Sequence, residues 1–520
     1  MSTDYDLPSG VSLSDLQTLA EQLIEGSEPS PLPLSSAQLR LWFLDQLEPN
    51  SPRYNIPSVV WLAGPLETEK LEEALKAIVS RHEILRARFI DQQGEPAQVI
   101  GPEEEFQLGQ HDLRPVPAAE RDATAQRLIE QEVRGPFDLS VGPLLRTTLL
   151  QLSDTEHILI VNMHHIISDE WSFQLFYREL QEIYTALVLG VTPELPELPI
   201  QYGDYAAWQQ DWMQSDEFKR QLQFWQNQLA GNPPAVKLPL DRPRRFNSGT
   251  KGASRIGHLS PEIQESLHRL AMRQKATPFM LLLAGFKALL HRMTGQEDII
   301  VGSPMACRHH AETENVIGLF ANTLPLRTRV SGALTFEQLL AAVREGVVGA
   351  FCHQDMPFEK LVETLQPERV AGQTPFISIL YLYQNDADFP ELPGLRLTFL
   401  DLGTETAKFD ITVFVAEVDE GLVLGMEYNA ELFEAKTIAE FLDQYEQLLC
   451  AVVANPGQRI SDITLRQSRQ PAATPLGWTP PDTPAPRWQF LDRWFELRRE
   501  RRIAEPRNAT ATEVVNGAAR

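Results

Sequence analysis

The chain has 520 residues, too many for one small core, and we expect roughly two to four domains or lobes. Hydrophobic residues make up 43% of it and charged residues 22%, as in an ordinary soluble globular protein. The 46 Lys and Arg residues stand against 71 Asp and Glu residues. The resulting formal charge of −25 argues against nucleic acid or an anionic membrane as the main partner.

The first segment, residues 1–32, is expected to be an N-terminal extension that precedes the main fold. Within it, Ser12 to Ile24 combines a capping Ser with apolar residues at helical spacing, which predicts a helix. This helix either packs at the periphery or docks an upstream partner.

Residues 33–215 alternate predicted strands with predicted helices and are expected to form an N-terminal lobe. The predicted elements are a strand at 56–64, an amphipathic helix at 66–82, a strand at 157–165 and a helix at 170–188. Alternation of this kind indicates a layered α/β (α+β) architecture.

Residues 216–467 show the same alternation of predicted strands and helices and are expected to form a C-terminal lobe. The predicted elements here are a strand at 298–302, a helix at 334–351, and strands at 375–385 and 409–418. Residues 468–520 then change to a Pro-rich linker and a tail that is predicted to be disordered. Aromatic and Arg residues combine at 488–497, which suggests either a docking element for a carrier protein or a remnant of a lost domain.

Cysteine usage and hydropathy favour the cytoplasm. Cys307, Cys352 and Cys450 lie far apart and form no disulfide or metal-binding spacing. The N-terminus lacks the basic and apolar regions of a secretory signal. The most apolar stretch, Phe279 to Leu290, is too short to cross a bilayer and predicts a buried helix.

The sharpest chemical signal is the adjacent pair His164 and His165, with Asp169 four residues later. Neighbouring side chains on a strand point to opposite faces, so one imidazole should be packed inside and the other presented. A presented imidazole can take a proton from an attacking amine or hydroxyl, or hold that nucleophile and stabilise a tetrahedral intermediate.

The pair has two other interpretations. It can be purely structural, or it can belong to a zinc site that also uses His309 and His310. The ligands would then come from distant segments without a completing Cys or acidic cluster, so we expect no metal.

The pattern His164-His165-x-x-x-Asp169 resembles the active-site signature of condensation domains from nonribosomal peptide synthetases. These domains belong to a superfamily with chloramphenicol acetyltransferase-like folds. Other stretches resemble the remaining motifs of the family, in the same order: Ser36–Trp42, Arg81–Phe89, Tyr202–Trp208, Ile317–Thr323 and His353–Glu359. Together the motifs cover residues 33–467, nearly all of the expected ordered chain.

The resemblance implies a fold of two similar lobes arranged as a V-shaped pseudo-dimer, with the active site at their junction. It implies that His165 faces the reaction centre and that Asp169 forms a buried ion pair with Arg308. Asn322 is similar to an Asn that lines the same centre. The candidate catalytic residues are therefore His164, His165, Asp169 and Asn322.

Other residues of these motifs are expected to be architectural. Trp42, Trp208 and Phe358 are predicted core residues, and His82 and His353 are predicted hydrogen-bonded structural residues.

Glu170 departs from the family pattern, which usually has Gly after the Asp. Its carboxylate either raises the basicity of His165, meets a polar acceptor at the tunnel mouth, or simply faces solvent at a helix start. Glu170 and Ser172 are the candidate residues for the acceptor side of the tunnel.

The implied function is acyl transfer. The chain is expected to be a free-standing condensation enzyme that moves an acyl or peptidyl group from a carrier-protein phosphopantetheine thioester to an amine or hydroxyl, in natural-product or antibiotic biosynthesis. Because carrier and adenylation motifs are absent from the sequence, the donor is expected on a separate acyl or peptidyl carrier protein, with no bound cofactor. The alternatives are an epimerase-like relative and a catalytically silent, carrier-binding recruitment module.

Overall fold

The computed structural model of the protein describes residues 31–103, 106–244, 251–367, 374–384, 390–400, 407–418 and 420–465. The predicted helix at Ser12 to Ile24 and the tail segment 488–497 lie outside the described residues.

Helices account for much of the described chain. They are α1 (Ser36–Leu47), α2 (Thr68–Arg81), α3 (Ala118–Arg134), α4 (Glu170–Leu189), α5 (Tyr202–Trp212), α6 (Asp216–Gln228), α7 (Pro261–Arg273), α8 (Pro278–Thr294), α9 (Phe336–Phe351), α10 (Phe358–Leu365) and α11 (Ala435–Ala454).

Strands alternate with these helices along the chain, as the sequence predicts. They are β1 (Asn55–Ala63), β2 (Ala87–Gln92), β3 (Glu95–Ile100), β4 (Gly109–Asp112), β5 (Leu145–Gln151), β6 (Glu156–His164), β7 (Gly252–Leu259), β8 (Asp298–Met305), β9 (Asn322–Arg329), β10 (Ile379–Gln384), β11 (Arg396–Leu400), β12 (Ile411–Val418) and β13 (Gly421–Asn429).

The first sheet has five strands in the order β11-β1-β6-β5-β4. Its strands pair antiparallel except for β4 and β5, which are parallel. β6 lies at the centre and is covered on both faces: Leu159, Val161 and Met163 pack into one core, and Ile158 and Ile160 into another. The strand ends at His164, so the direction of His165 is set by the turn that follows.

The second sheet has six strands in the order β7-β13-β12-β10-β8-β9. β10 is parallel to both of its neighbours, and the remaining pairs are antiparallel. Helix α8 packs into the core of this lobe, which confirms the buried helix predicted from Phe279 to Leu290. A separate hairpin joins β2 and β3.

The two lobes are not a clean division of the sequence. The core changes close to residue 215, since Tyr202 of α5 packs in the first core and Trp225 of α6 in the second. However, β11 belongs by position to the C-terminal segment and pairs with β1 in the first sheet, with Val60 opposite Phe399. The second half of the chain therefore completes the first lobe.

Candidate active site

The adjacent histidines lie where the central strand of the first sheet ends. β6 ends at His164, one 3-10 turn spans His165–Ile167, and α4 begins at Glu170. A strand, a tight turn and a helix thus carry the whole motif, and the turn lets the two imidazoles diverge.

His164 is buried and faces the protein interior. Its Nδ1 accepts a hydrogen bond from the backbone N–H of Ile166 at 3.1 Å, which caps the turn. Its ring packs edge-on against Tyr54 and Phe137, with centroids 6.3 and 6.1 Å apart. Burial and the neighbouring His165 lower its pKa to about 3, so the ring is neutral at ordinary pH. The structure gives His164 a positioning role, in contrast to its inclusion among the catalytic candidates.

His165 is the imidazole that keeps contact with solvent. Its Nδ1 lies 2.7 Å from the carbonyl oxygen of Ser168. Because a carbonyl can only accept, Nδ1 carries the proton, and Nε2 of the neutral ring presents a lone pair. Removal of water by the surrounding protein and the positive charge of Lys408 lower the pKa of His165 to about 4.

Asp169 is the N-cap of α4 and joins the two lobes. Its Oδ1 accepts from the backbone N–H and hydroxyl of Ser172 at 2.9 and 2.7 Å and from Nη2 of Arg308 at 3.2 Å. Its Oδ2 accepts from the backbone N–H groups of Phe320 and Ala321 at 2.9 and 3.2 Å. The carboxylate is buried and occupied on both oxygens, so it holds the turn rather than meeting a substrate.

The expected ion pair between Asp169 and Arg308 is present. The Arg308 side chain is 1% exposed, and its Nη1 donates to the carbonyls of Thr313 and Val316 at 2.6 and 2.5 Å. The guanidinium also lies over the ring of Phe320, 4.1 Å from the centroid. Desolvation lowers the pKa of Arg308, and the Asp169 charge opposes this shift.

Ser172 does not line an acceptor tunnel, in contrast to the expectation. Its side chain is fully buried, and its hydroxyl lies 2.7 Å from Asp169 Oδ1, 2.8 Å from the Gly318 carbonyl and 3.1 Å from the Gly318 nitrogen. Glu170 is the first residue of α4, and part of its surface is exposed. The surrounding protein nevertheless displaces water from its carboxylate, and this desolvation, with the charge of Asp169, raises the pKa of Glu170.

Asn322 uses its amide to fasten a neighbouring loop. Nδ2 donates to the carbonyls of Gln354 and Met356 at 2.9 and 2.7 Å, and Oδ1 accepts from the backbone N–H of Phe358 at 3.1 Å. These contacts give Asn322 a positioning role toward that loop, and its expected place at the reaction centre stays a prediction.

Helix α1 packs against the 3-10 turn that carries His165. Ser35 and Gln38 form a capping box at its start, and Gln38 Nε2 also donates to the carbonyl of Ile166 at 3.2 Å. On the outer side of α1, Arg40 pairs with Glu359 of α10 at 3.3 Å. The opening motif of the sequence therefore acts through the backbone that carries His165.

Two more motif histidines have the structural roles that were expected. His82 is fully buried, and its Nε2 lies 2.9 Å from a carboxylate oxygen of Glu179, while its Nδ1 accepts from the Ile317 N–H at 3.4 Å. His353 donates from Nδ1 to the carbonyl of Gly349 at 2.7 Å. Both predictions are confirmed.

Lys408 is a site residue that sequence reasoning missed. Its Nζ lies 5.5 Å from the ring centroid of Tyr54, which itself packs against His164. Lys408 keeps contact with solvent, yet desolvation by the surrounding protein lowers its pKa to about 8. The one signal in the sequence is a Lys just before an apolar strand, which is too common to single out.

A cavity lies beside the Asp169–Arg308 pair, between α1, α5 and the loops that follow β8 and α9. It is lined in part by Trp208, His309, His310, Asp355 and Asn322. Trp208 is 40% exposed, so its predicted core position is wrong because α5 turns this ring toward the cavity. Trp42 and Phe358 are buried as predicted.

Comparison with known families decides the assignment. The family model described as the condensation domain matches residues 30–473. The chain belongs to the condensation-domain family. This condensation domain has the mixed α/β, chloramphenicol acetyltransferase-like fold that the sequence motifs predicted.

Relatives of this condensation domain are parts of peptide synthetases. A linear gramicidin synthase of Brevibacillus parabrevis is 45% identical over 459 residues, covering 88% of this chain and 6% of that protein. The chain thus spans less than a tenth of the length of that relative.

Two solved structures are similar to this condensation domain. The X-domain in its complex with OxyB from teicoplanin biosynthesis has a TM-score of 0.75 and 28% identity, and the match covers 85% of this chain and 98% of that one. The first condensation domain of the calcium-dependent antibiotic synthetase, in complex with a substrate analogue, has a TM-score of 0.69 at 24% identity. That match covers 84% of this chain and 100% of that one, and it supports the fold alone.

Within the described residues, none of the helices combines the length and the apolar character that a bilayer crossing requires.

Proposed function

We propose that this condensation domain is an acyltransferase that moves an acyl or peptidyl group from a carrier-protein phosphopantetheine thioester to an amine or hydroxyl acceptor. The observation that carries the proposal is the neutral imidazole of His165, which is only partly buried and whose Nδ1 is held by the carbonyl of Ser168, so that Nε2 is left as the acceptor. The thioester is already activated when it arrives, so the step consumes no ATP.

The reaction begins with attack of the acceptor nitrogen or oxygen on the thioester carbonyl carbon. A hydrogen bond from the acceptor N–H or O–H to Nε2 of His165 orients the attacking lone pair toward that carbon. The new bond gives a tetrahedral intermediate, and the carbon–sulfur bond then breaks. The proton lost by the acceptor ends on the departing thiolate, so the products are an amide or ester and the free pantetheine thiol.

The low pKa of His165 bears on which of its two possible roles dominates. A base with a pKa of about 4 holds a proton poorly at neutral pH, so full removal of a proton before attack is unfavourable. Acceptance of a hydrogen bond, and brief proton transfer once the intermediate has formed, need no such stable imidazolium. We therefore assign His165 mainly to positioning the nucleophile and to proton transfer within the intermediate.

Asp169 and Arg308 support this step from a distance. The ion pair joins the start of α4 to Arg308, and the other oxygen of Asp169 accepts from the backbone N–H groups at 320–321 in the second half of the chain. The backbone of Ser168, which sets the His165 tautomer, directly precedes Asp169, so the orientation of the imidazole depends on the pair.

Reconstitution tests the proposal. An acyl-loaded carrier protein is incubated with a panel of amines and alcohols, and mass spectrometry measures acyl transfer by the wild type, His165→Ala and His111→Ala. His111 is an exposed histidine on β4 and serves as the matched control. We expect His165→Ala to lose about 10²-fold or more of the rate, and His111→Ala to keep it. Equal rates in all three proteins would contradict the proposal.

A second candidate function is partner recruitment without chemistry. It is favoured by the similarity to the X-domain, a structure solved in complex with OxyB. In that case the wild type and His165→Ala would bind the loaded carrier or another partner equally, and neither would transfer the acyl group. The same assay, combined with a binding measurement, separates the two functions.

A further inference from the structure

Two adjacent histidines and an aspartate converge on the wall of the cavity beside the Asp169–Arg308 pair. His309, His310 and Asp355 each offer one ligand atom, and these atoms all lie within 4.8 Å of one another. Nε2 of His309 lies 3.0 Å from Oδ1 of Asp355, and the two imidazole centroids are 4.3 Å apart. The sequence pointed to no acidic ligand for these histidines, because Asp355 comes from a loop 45 positions beyond His310.

The aspartate is held in a fixed orientation. Gln221 of α6 is buried, and its Nε2 donates to Oδ2 of Asp355 at 3.0 Å while its Oε1 accepts from the Met356 N–H at 3.2 Å. This leaves Oδ1 directed at His309. Carboxylates that ligate metals are commonly oriented by such hydrogen bonds from a neighbouring side chain.

The two imidazoles are accessible to an ion from solvent. His309 and His310 are exposed, and Asp355 is partly buried. The ring of Trp208 packs edge-on against His310, with centroids 5.5 Å apart, and forms one wall of the approach. An entering ion would therefore meet the histidines first and the anchored carboxylate behind them.

We propose that His309, His310 and Asp355 form a binding site for a divalent transition-metal ion of the zinc class. Two imidazoles and a carboxylate are a donor set that zinc accepts, and three protein ligands leave a fourth position open to the cavity. Ligand atoms around a tetrahedral zinc ion lie roughly 3.3 Å apart, so the 3.0 Å between His309 and Asp355 already fits. Rotation of the exposed His310 side chain completes the site.

The ion would have a bracing role that is separate from acyl transfer. His309 and His310 directly follow Arg308, and Asp355 lies in the loop that Asn322 fastens. A bound ion would therefore tie the loop that carries the Arg308 guanidinium to the loop after α9. The site does not depend on the proposed reaction, because its ligands are distinct from His165.

Metal titration of the full chain tests the site. The protein is stripped with a chelator under reducing conditions and titrated with Co²⁺, whose visible absorption reports tetrahedral coordination, followed by displacement with Zn²⁺. The test variants are His310→Ala and Asp355→Asn. The matched controls are His111→Ala, an exposed histidine elsewhere, and His165→Ala, which removes the active-site imidazole.

We expect one bound ion per chain in the wild type and in both controls, with affinity at least about tenfold weaker in His310→Ala and Asp355→Asn. Circular dichroism verifies that each variant is folded. If Asp355→Asn does not fold, the exposed His310→Ala decides alone. Equal stoichiometry and affinity in the wild type and His310→Ala, or no binding by the wild type, would overturn the proposal.

Discussion

Asp169 and Arg308 are 139 positions apart in the chain, yet Nη2 of Arg308 lies 3.2 Å from Oδ1 of Asp169. Their side chains are 3% and 1% exposed, so the pair is shielded from water. Asp169 also caps α4 and accepts backbone hydrogen bonds from Phe320 and Ala321. One carboxylate thus ties the end of β6, the start of α4 and two segments of the second half of the chain together.

Asp169→Asn is expected to destabilise the protein strongly. The Asn side chain removes the negative charge that faces the buried guanidinium of Arg308. Its amide N–H groups would also face N–H groups that donate to the Asp169 carboxylate in the wild type. We expect the free energy of unfolding to fall by about 3–5 kcal/mol in chemical denaturation, together with a loss of acyl transfer. Asp112→Asn, which breaks the exposed Asp112–Arg114 pair, is the control and should leave stability unchanged. Similar, small losses in both variants would mean that the buried pair contributes little.

Lys408 should tune the pH dependence of the reaction. Its positive charge disfavours protonation of His165, whereas Asp169 favours protonation and Arg40 adds to the Lys408 effect. Lys408→Met should therefore raise the pKa of His165 and move the acid limb of the kcat/KM profile to higher pH. Lys436→Met, at a residue whose side chain is 85% exposed, is the control and should leave the profile in place. If both profiles coincide with that of the wild type, the charge of Lys408 does not act on the imidazole.

Gly318→Ala should disturb the surroundings of the ion pair through sterics alone. A Cβ at this position would lie within the ring of the buried Tyr202, whose hydroxyl donates to the Leu319 carbonyl at 2.6 Å. We expect a loss of about 1–3 kcal/mol or more in unfolding free energy. Gly346→Ala, in α9, is the control because its Cβ would make only an ordinary van der Waals contact. Helix propensity there favours Ala over Gly by up to ~1 kcal/mol. A tolerated Gly318→Ala would show that the ring of Tyr202 has room to move.

Lys287 should give the fold a distinct pH dependence. It is fully buried, donates to the Leu326 carbonyl and the Thr328 hydroxyl, and burial lowers its pKa from 10.5 to about 7. Between these values the unfolded chain binds more protons than the folded one, so this residue makes stability rise with pH. The penalty for burying the charge is fully present below pH 7 and is relieved above it.

Denaturation of the wild type and Lys287→Met from pH 7 to pH 9 measures this contribution as the difference between the two slopes. We expect a smaller rise of stability with pH in Lys287→Met, whereas Lys219→Met, which removes a largely exposed ammonium, should follow the wild type. Parallel curves for the wild type and Lys287→Met would mean that Lys287 titrates alike in both states.

Local patterns predicted the elements of the fold well. The apolar residues at helical spacing in α2 are all buried: Leu71, Ala74, Leu75 and Ile78. The apolar stretch before His164 forms the central strand β6. Strand alternation predicted that the two histidines diverge, although His165 lies in the 3-10 turn after β6 and not on the strand itself. The family motifs supplied the partner of Asp169, which no local pattern identifies.

What the sequence could not provide depends on contacts between distant segments. The pairing of β11 with β1 brings residue 399 against residue 60. No pattern in either segment identifies the other as its partner. Ser172 was a candidate for the acceptor side of the tunnel, but the first turn of α4 directs its side chain into the interior. The effect of Lys408 on His165 and the contact of Asp355 with His309 both depend on how the fold places segments that are distant in sequence.

The tautomer of His165 in the folded protein is the most direct test of its proposed role. Nitrogen NMR of selectively labelled histidine, assigned with His165→Gln, reports which ring nitrogen carries the proton. We predict a proton on Nδ1, a bare Nε2 at neutral pH and no titration of this ring until well below pH 6.5. A proton on Nε2, or titration near the ordinary histidine value, would contradict that role.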